Sequence, residues 1–278
     1  IDVAGRRCTA CQPRPRPDGG VARPHRDRGA ADAVPNYCHE RNDCRIADYQ
    51  RARGLRFGQA AVALRLTSQA DVEWALSQQY GYAWVREGEQ VGSPELGQAH
   101  APFGATAEAF RDLRAYLMNQ PELARRALAV VSTRSGDGRS FVAANLAIAF
   151  SQLGANTNTL LVDADLRRPC QHALFGLQGK PGPSGVRGLP ETSSLPGLAD
   201  LLAGRATRHG VRKVPHLPGL HVLPAGAPPP NPLELLQRPH LAALLGDIVN
   251  AFDYVIVDTP AAAAGADARV VAAACGAA

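Results

Sequence analysis

Lysine is nearly missing from this chain: Lys180 and Lys213 are the only two, so almost all of the 30 Lys+Arg residues are arginine. With Arg, Ala, Gly and Pro all abundant, GC-rich coding DNA accounts for the net charge of +5, and the arginines form no stripe interleaved with the few aromatics (5% of residues). A nucleic-acid partner is therefore not expected. Long apolar runs are also lacking. Nothing approaches the roughly 18–20 uninterrupted apolar residues of a membrane-spanning helix, and no basic segment followed by an apolar one opens the chain. The expectation is a cytoplasmic protein with no transmembrane segment of its own. Methionine occurs once, at Met118, and the first residue is Ile1, which reads as a fragment or a partly misread frame.

Cysteine is sparse and uneven, at Cys8, Cys11, Cys38, Cys44, Cys170 and Cys275. This suits reduced thiols better than a disulfide framework. Cys8 and Cys11 form a CxxC, but Cys38 and Cys44 have the wrong spacing to complete a zinc ribbon or knuckle. The eight histidines cluster nowhere and pair with no Ser or Cys motif.

What is present is 45% hydrophobic residues over 278 positions, enough for a sizeable core. Residues 1–44 are rich in Arg, Pro and Gly without a period of 2 or 3.6, and predict disorder or a mistranslated segment. Residues 45–86 predict a small helical module: Ala60, Ala61, Leu64 and then Val72, Ala75, Leu76 fall on helical faces, and Ser68 to Asp71 can cap the second helix. Residues 87–104 read as a link, followed by a helix over about 106–118 that carries Glu108, Arg111 and Arg114. From Arg126 onward strands and helices alternate. Strands are expected at 128–132, 159–163, 220–223 and 254–258, a helix at 140–153 closed by Gly154, and another from Pro232 to about Phe252. Such alternation predicts an α/β domain over 105–278, a parallel sheet with helices on both faces.

The stretch from Ser132 to Ser140 lies between a buried strand and a helix, the position of a phosphate-binding loop. Gly136 and Gly138 allow the turn that aims backbone N–H groups and a helix N-terminus at phosphates, and Ser140 would set its hydroxyl on Mg²⁺. Thr133 stands where the first glycine is usual and Arg139 where the lysine is usual. Arginine keeps the charge on a larger planar fork. Alone, this loop is also compatible with a glycine-rich turn that binds nothing. Two further apolar strands shift the balance, because one ends in Asp163 and Asp165 and the other in Asp258. Strand C-termini are where an open parallel sheet gathers ligand-binding groups, and carboxylates there can hold Mg²⁺ or accept a hydroxyl proton in phosphoryl transfer.

The ordered series of phosphate loop, "LLVDADLRRP", "LPAG", "NPLELL" and "FDYVIVDTP" resembles the bacterial tyrosine kinases, in particular the EpsG-type chain-length-determinant kinases of exopolysaccharide biosynthesis, from about Thr106 to the end. The resemblance implies a P-loop NTPase fold of MinD/ParA type. It also implies ATP and Mg²⁺ as cofactors, and an activity of transferring phosphate from ATP to protein tyrosine to regulate polysaccharide chain length, polymerisation and export. Position by position, Thr133, Gly136, Asp137, Gly138, Arg139, Ser140 and Phe141 fall in the Walker A, cofactor-binding stretch. Asp163 and Asp165 match the Walker A′ pair and Asp258 the Walker B carboxylate. The implied catalytic residues are Asp163, Asp165 and Arg139, and the implied metal residues are Ser140, Asp165 and Asp258. The implied partner is a membrane-bound polysaccharide co-polymerase acting as activator and recruiting the chain to the inner face of the membrane. Homo-oligomer assembly would use the ExxRxxR helix of Glu108, Arg111 and Arg114, whose spacing by itself fits a solvated helix face with one ion pair.

The helical module resembles one motif copy of the MshE-type N-terminal domain, through Arg56, Phe57, Gly58, Val62, Leu66, Val72, Leu76 and Gln79, with Arg65 where glycine is usual. Paired copies bind cyclic di-GMP in that family; a single copy implies a packing or docking role. A second function stands beside the kinase: a MinD/ParA-like ATPase switch on nearly the same site. The "LPAG" and "NPLELL" segments favour the kinase, as does the lack of a signature lysine at Thr133 to Ser135. A third expectation concerns the C-terminus, which follows the last predicted strand by about twenty residues where the resembled family continues. An inactive, C-terminally incomplete chain fits that pattern.

Overall fold

A computed structural model describes residues 40–82, 92–121, 126–154, 156–177, 195–205 and 210–278. The patternless residues 1–39, the Cys8, Cys11 and Cys38 set, and the first part of the link at 87–91 lie outside the described residues. The described residues fall into two compact units that divide between residues 60 and 61, inside the second helix.

In the first unit, helix α1 spans Glu40–Arg53. It begins before Ile46, so residues 40–44 are helical where a structureless end was expected. The reason is local: a helix nucleated among good formers such as Arg45, Ala47, Gln50 and Arg51 extends backward one bond at a time at little cost. Arg51 and Arg53 in its last turn oppose the negative helix end. Helix α2, Phe57–Ala63, starts where Gln59 Oε1 accepts the Arg56 N–H at 3.0 Å.

The second unit opens with helix α3, Gln69–Tyr80. Ser68 caps it as the sequence suggests: the Asp71 N–H donates to Ser68 Oγ and the Ser68 N–H to Asp71 Oδ2, both at 3.1 Å. Just before it, Arg65 takes a φ of 55°, a conformation in which glycine carries no steric cost. The rest of the link is not a bare connection. It contains helix α4, Gly97–His100, with Leu96 and Ala99 buried, and the Gln98 N–H donates to Asn145 Oδ1 at 3.1 Å. Helix α5 follows at Ala105–Met118.

The sheet is built from β1 (Ala127–Val130), β2 (Thr159–Asp163), β3 (Arg212–Lys213), β4 (Leu220–Leu223), β5 (Tyr254–Asp258) and β6 (Gly276–Ala277), in the order β3-β4-β2-β5-β1-β6. All pairs are parallel except β3 with β4. Strand side chains alternate between faces. Leu160, Val162, Val255 and Val257 pack beneath α8 (Leu198–Leu202), α9 (Pro232–Leu236), α10 (Pro239–Ala251) and α11 (Asp267–Cys275). Leu161, Ile256, Leu220 and Val222 pack beneath α4, α5 and α6 (Arg139–Ser151). Both faces are covered, as expected of a parallel sheet. Because α6 lies on the middle of the sheet under α5, it is buried nearly all round, with alanines at 143, 144, 147 and 149 allowing close approach. Among the described residues no helix is long and apolar enough to cross a membrane.

Three boundaries depart from the sequence reading. The helix expected over 232–252 is two, because Pro239 lacks an N–H and holds Arg238 in extended backbone at ψ 147°. Strand β1 stops at Val130, and α6 runs from Arg139 to Ser151 where 140–153 was expected.

Gly219 shows how closely the strand ends are packed. At φ 84° its Cβ position lies 2.3 Å from the Thr157 carbonyl, while its own carbonyl accepts the Thr159 N–H at 2.8 Å. Gly219→Ala is expected to lower stability by at least about 1 kcal/mol, read as a lower urea midpoint at unchanged m-value.

Candidate functional site

The loop between β1 and α6 takes its shape from backbone and side chains together. Gly136 and Gly138 sit at φ 91° and 85°, Gly138 directly preceding α6. The Asp137 carboxylate accepts the Arg134 N–H at 2.8 Å, and that bond, with further support from Ser132, holds its pKa below the ordinary value. The loop is also tied to the chain after β5: Ala262 and Ala263 donate their N–H groups to the carbonyls of Ser132 and Thr133, each at 3.0 Å.

Arg139 is buried under this loop. Its Nε donates to the Thr259 carbonyl at 2.9 Å, and its Nη1 to the Arg134 carbonyl at 2.6 Å and to Ser132 Oγ. The guanidinium is thus a brace between the loop and the end of β5, with Nη2 left without a partner among the described residues. Phe141 turns its ring into the core, 5.8 Å from that of Phe110.

The three carboxylates meet at the C-terminal edge of the sheet. Strand pairing sets Asp163 opposite Asp258, and Val130, the last residue of β1, opposite Asp258 on its other side. Asp163 and Asp258 are fully buried and Asp165 nearly so. Asp163 Oδ1 accepts the Asp165 N–H at 3.2 Å; its Oδ2 accepts the N–H groups of Cys170 and Gln171 at 3.1 and 3.0 Å, closing the start of helix α7, Gln171–Leu174. Asp165 Oδ1 accepts from the Arg167 and Arg168 N–H groups at 3.1 and 2.9 Å. Arg167 in turn forks onto the buried Asp267 at the start of α11, the closest approach being 3.0 Å. Burial raises the pKa of Asp163 well above the ordinary range, and the neighbouring Asp258 charge adds to it. Burial likewise raises Asp258. The adjacent Cys170 thiol is pushed up to about 12 by its burial, so it is neutral and unreactive.

One functional side chain was missed by the sequence reading. Gln171 Nε2 donates to Asp258 Oδ2 at 2.7 Å and to the Ser140 carbonyl at 3.1 Å. Nothing in the run Pro169–Cys170–Gln171 marks it, since its partners are 31 and 87 residues away. The oxygens at this edge suit a hard cation. Asp258 Oδ1 is buried without a hydrogen-bond partner, and the Ser140 hydroxyl lies against the same carboxylate. Among the described residues no group of three or more His, Cys, Asp or Glu is arranged to hold a metal by itself.

Glu108, Arg111 and Arg114 lie on α5. Arg111 pairs with Glu108 at 2.6 Å, donates to the Pro102 carbonyl at 2.7 Å and stacks over Tyr82 at 5.3 Å. Arg114 donates to the Ala149 carbonyl of α6, and its burial lowers its pKa. Both arginines serve this chain's own packing, while Glu108 stays exposed.

No protein-family model matches the chain. It is 32% identical over 172 residues to the putative tyrosine-protein kinase CapB of Staphylococcus aureus, spanning 62% of this chain and 68% of that one. It is 34% identical over 148 residues to the tyrosine-protein kinase CpsD of Streptococcus agalactiae, spanning 53% of this chain and 58% of that one. Among solved structures, the kinase domain of the Escherichia coli tyrosine kinase ETK superposes with a TM-score of 0.56 at 28% identity, covering 72% of this chain and 77% of that one. The chimerical protein CapA2B2 gives 0.55 at 29%, covering 73% and 81%.

The buried carboxylates have a measurable cost to the unliganded fold. Asp258 has a raised folded pKa, so between its ordinary value of 3.8 and the raised one the folded chain holds a proton that the unfolded chain has lost. Stability therefore falls as pH rises through that window. Asp258→Asn keeps an acceptor for Gln171 but carries no charge. The variant is expected to unfold at a higher temperature than the parent at about pH 8, with the gap narrowing as pH falls toward about 4. A gap that is constant with pH would count against this account.

Proposed function

Because this chain belongs to the bacterial tyrosine-protein kinase family, we propose that it transfers the terminal phosphoryl group of ATP to protein tyrosine in a capsule or exopolysaccharide system. The observation that carries the reading is the convergence of the 132–140 loop, Asp163, Asp165 and Asp258 at one edge of the sheet.

The N–H groups of the loop and the start of α6 would hold the phosphates, with Arg139 Nη2 as the remaining cationic donor. Ser140, Asp258 and Asp165 would hold Mg²⁺, directly or through water. The nucleotide with its cation supplies the transferable phosphoryl group and the neutralisation of its charge. Asp163 is oriented by three backbone N–H groups and would accept the proton of a tyrosine hydroxyl. In the balanced reaction the tyrosine oxygen gains the phosphoryl group, ADP leaves, and the hydroxyl proton passes to Asp163. The buried setting lets these fixed dipoles act with little screening by water.

The partner we propose is a membrane-bound polysaccharide co-polymerase that activates the chain and holds it at the inner membrane face. Self-assembly through the Glu108, Arg111 and Arg114 helix would present the exposed Glu108, with the two arginines fixing that helix on its own chain. The module around α2 and α3 is proposed to serve packing or docking.

Incubation with radiolabelled ATP and Mg²⁺, with and without the cytoplasmic segment of such a partner, is expected to place label on tyrosine. Asp163→Asn is expected to reduce that label at least about 100-fold while leaving nucleotide binding in place. ATP hydrolysis with no labelled protein would replace the kinase reading by that of an ATPase switch.

A further inference from the structure

Gln171 is fully buried and joins the three parts of the site. Its N–H closes on Asp163 Oδ2 at 3.0 Å, and its Nε2 bridges Asp258 Oδ2 and the Ser140 carbonyl. The amide orientation is fixed by chemistry, since both neighbours are acceptors and Oε1 turned toward them would face two oxygens. Two acceptors are then left buried and without a partner among the described residues, Asp258 Oδ1 and Gln171 Oε1. A native fold rarely tolerates two such oxygens in one place without a ligand or water to satisfy them.

We propose that Gln171 is the positioning residue for the nucleotide's Mg²⁺, an inference that rests on the nucleotide site of the kinase reading. By binding one oxygen of Asp258 and the carbonyl of Ser140 at once, it fixes the strand β5 carboxylate relative to the first turn of α6. The second Asp258 oxygen and the Ser140 hydroxyl are thereby presented together, and Gln171 Oε1 remains as an acceptor for a water of the cation's shell. Partners that orient metal ligands in this way commonly change metal affinity 10–100-fold.

Gln171→Met keeps the length of the side chain and the backbone N–H to Asp163 but removes both amide donors. The test is binding of a fluorescent ADP analogue to the whole chain, titrated with Mg²⁺, alongside the melting temperature. The variant is expected to bind the analogue without metal within about twofold of the parent, while the Mg²⁺ concentration at half-effect rises at least about 10-fold. Gln171→Asn, whose amide is one methylene short, is expected to shift the same way. An unchanged Mg²⁺ midpoint in a folded Gln171→Met chain overturns the role of Gln171 alone. Equal loss of metal-free and metal-dependent binding, or unfolding of both variants, shows a purely structural residue and also overturns it. A parent that binds no analogue at any Mg²⁺ concentration overturns the nucleotide reading itself, and this inference with it.

Discussion

Two carboxylates buried side by side set the terms for everything around them. The register of β2 on β5 brings Asp163 and Asp258 level at the sheet edge, and helices on both faces shut out solvent. An unpaired buried charge is costly enough that a protein neutralises it or surrounds it with donors. Here the donors are backbone N–H groups of residues 165, 170 and 171 and the amide of Gln171. The turn after β2 and the short helix α7 exist in this form because they supply those donors. Burial still holds both carboxylates above their ordinary pKa, and a cation bound at this edge, as proposed above, would offset that cost.

The same logic extends to the glycine loop. Its carbonyls face inward on one side, and Arg139 gathers two of the loop's oxygens and one from the end of β5. The hydroxyl of Thr259 adds a bond to the Val130 carbonyl at 2.7 Å. Loop, β1 and β5 are therefore tied together, and in the proposed function the loop's N–H groups would be set before a nucleotide arrives. Preorganisation of that kind lowers the cost of binding and of reaching the transition state.

Much of this was legible in residues alone. Strands β2, β4 and β5 are apolar runs bounded by turn residues, and their limits follow from the sequence. The glycine loop and the three aspartates announce themselves because each follows such a strand. Elements that exist by tertiary bonding were not visible. Strands β3 and β6 are two residues long and have no period to show. Helix α4 reads as a link because Gly97 and Pro94 suggest one, yet Asn145 pins it through bonds to Gln98 N–H and the Glu95 carbonyl. Gln171 gains its meaning only from neighbours distant in the chain. The break at Pro239 was the exception: the signal was in the text, and apolar periodicity on both sides of it outweighed a proline that excludes helix from the residue before it.

Arg139 has one more consequence, for reactivity. The usual loop residue is a primary amine, which can be acylated and loses its charge when it is. A guanidinium resists such reagents. With lysine confined to Lys180 and Lys213, acyl-phosphate analogues of ATP that label enzymes by reacting with a lysine at the phosphate site would find no amine in this loop. Labelling of that kind reads the presence of an amine at this position and not the binding of a nucleotide, and the two come apart where the loop carries arginine.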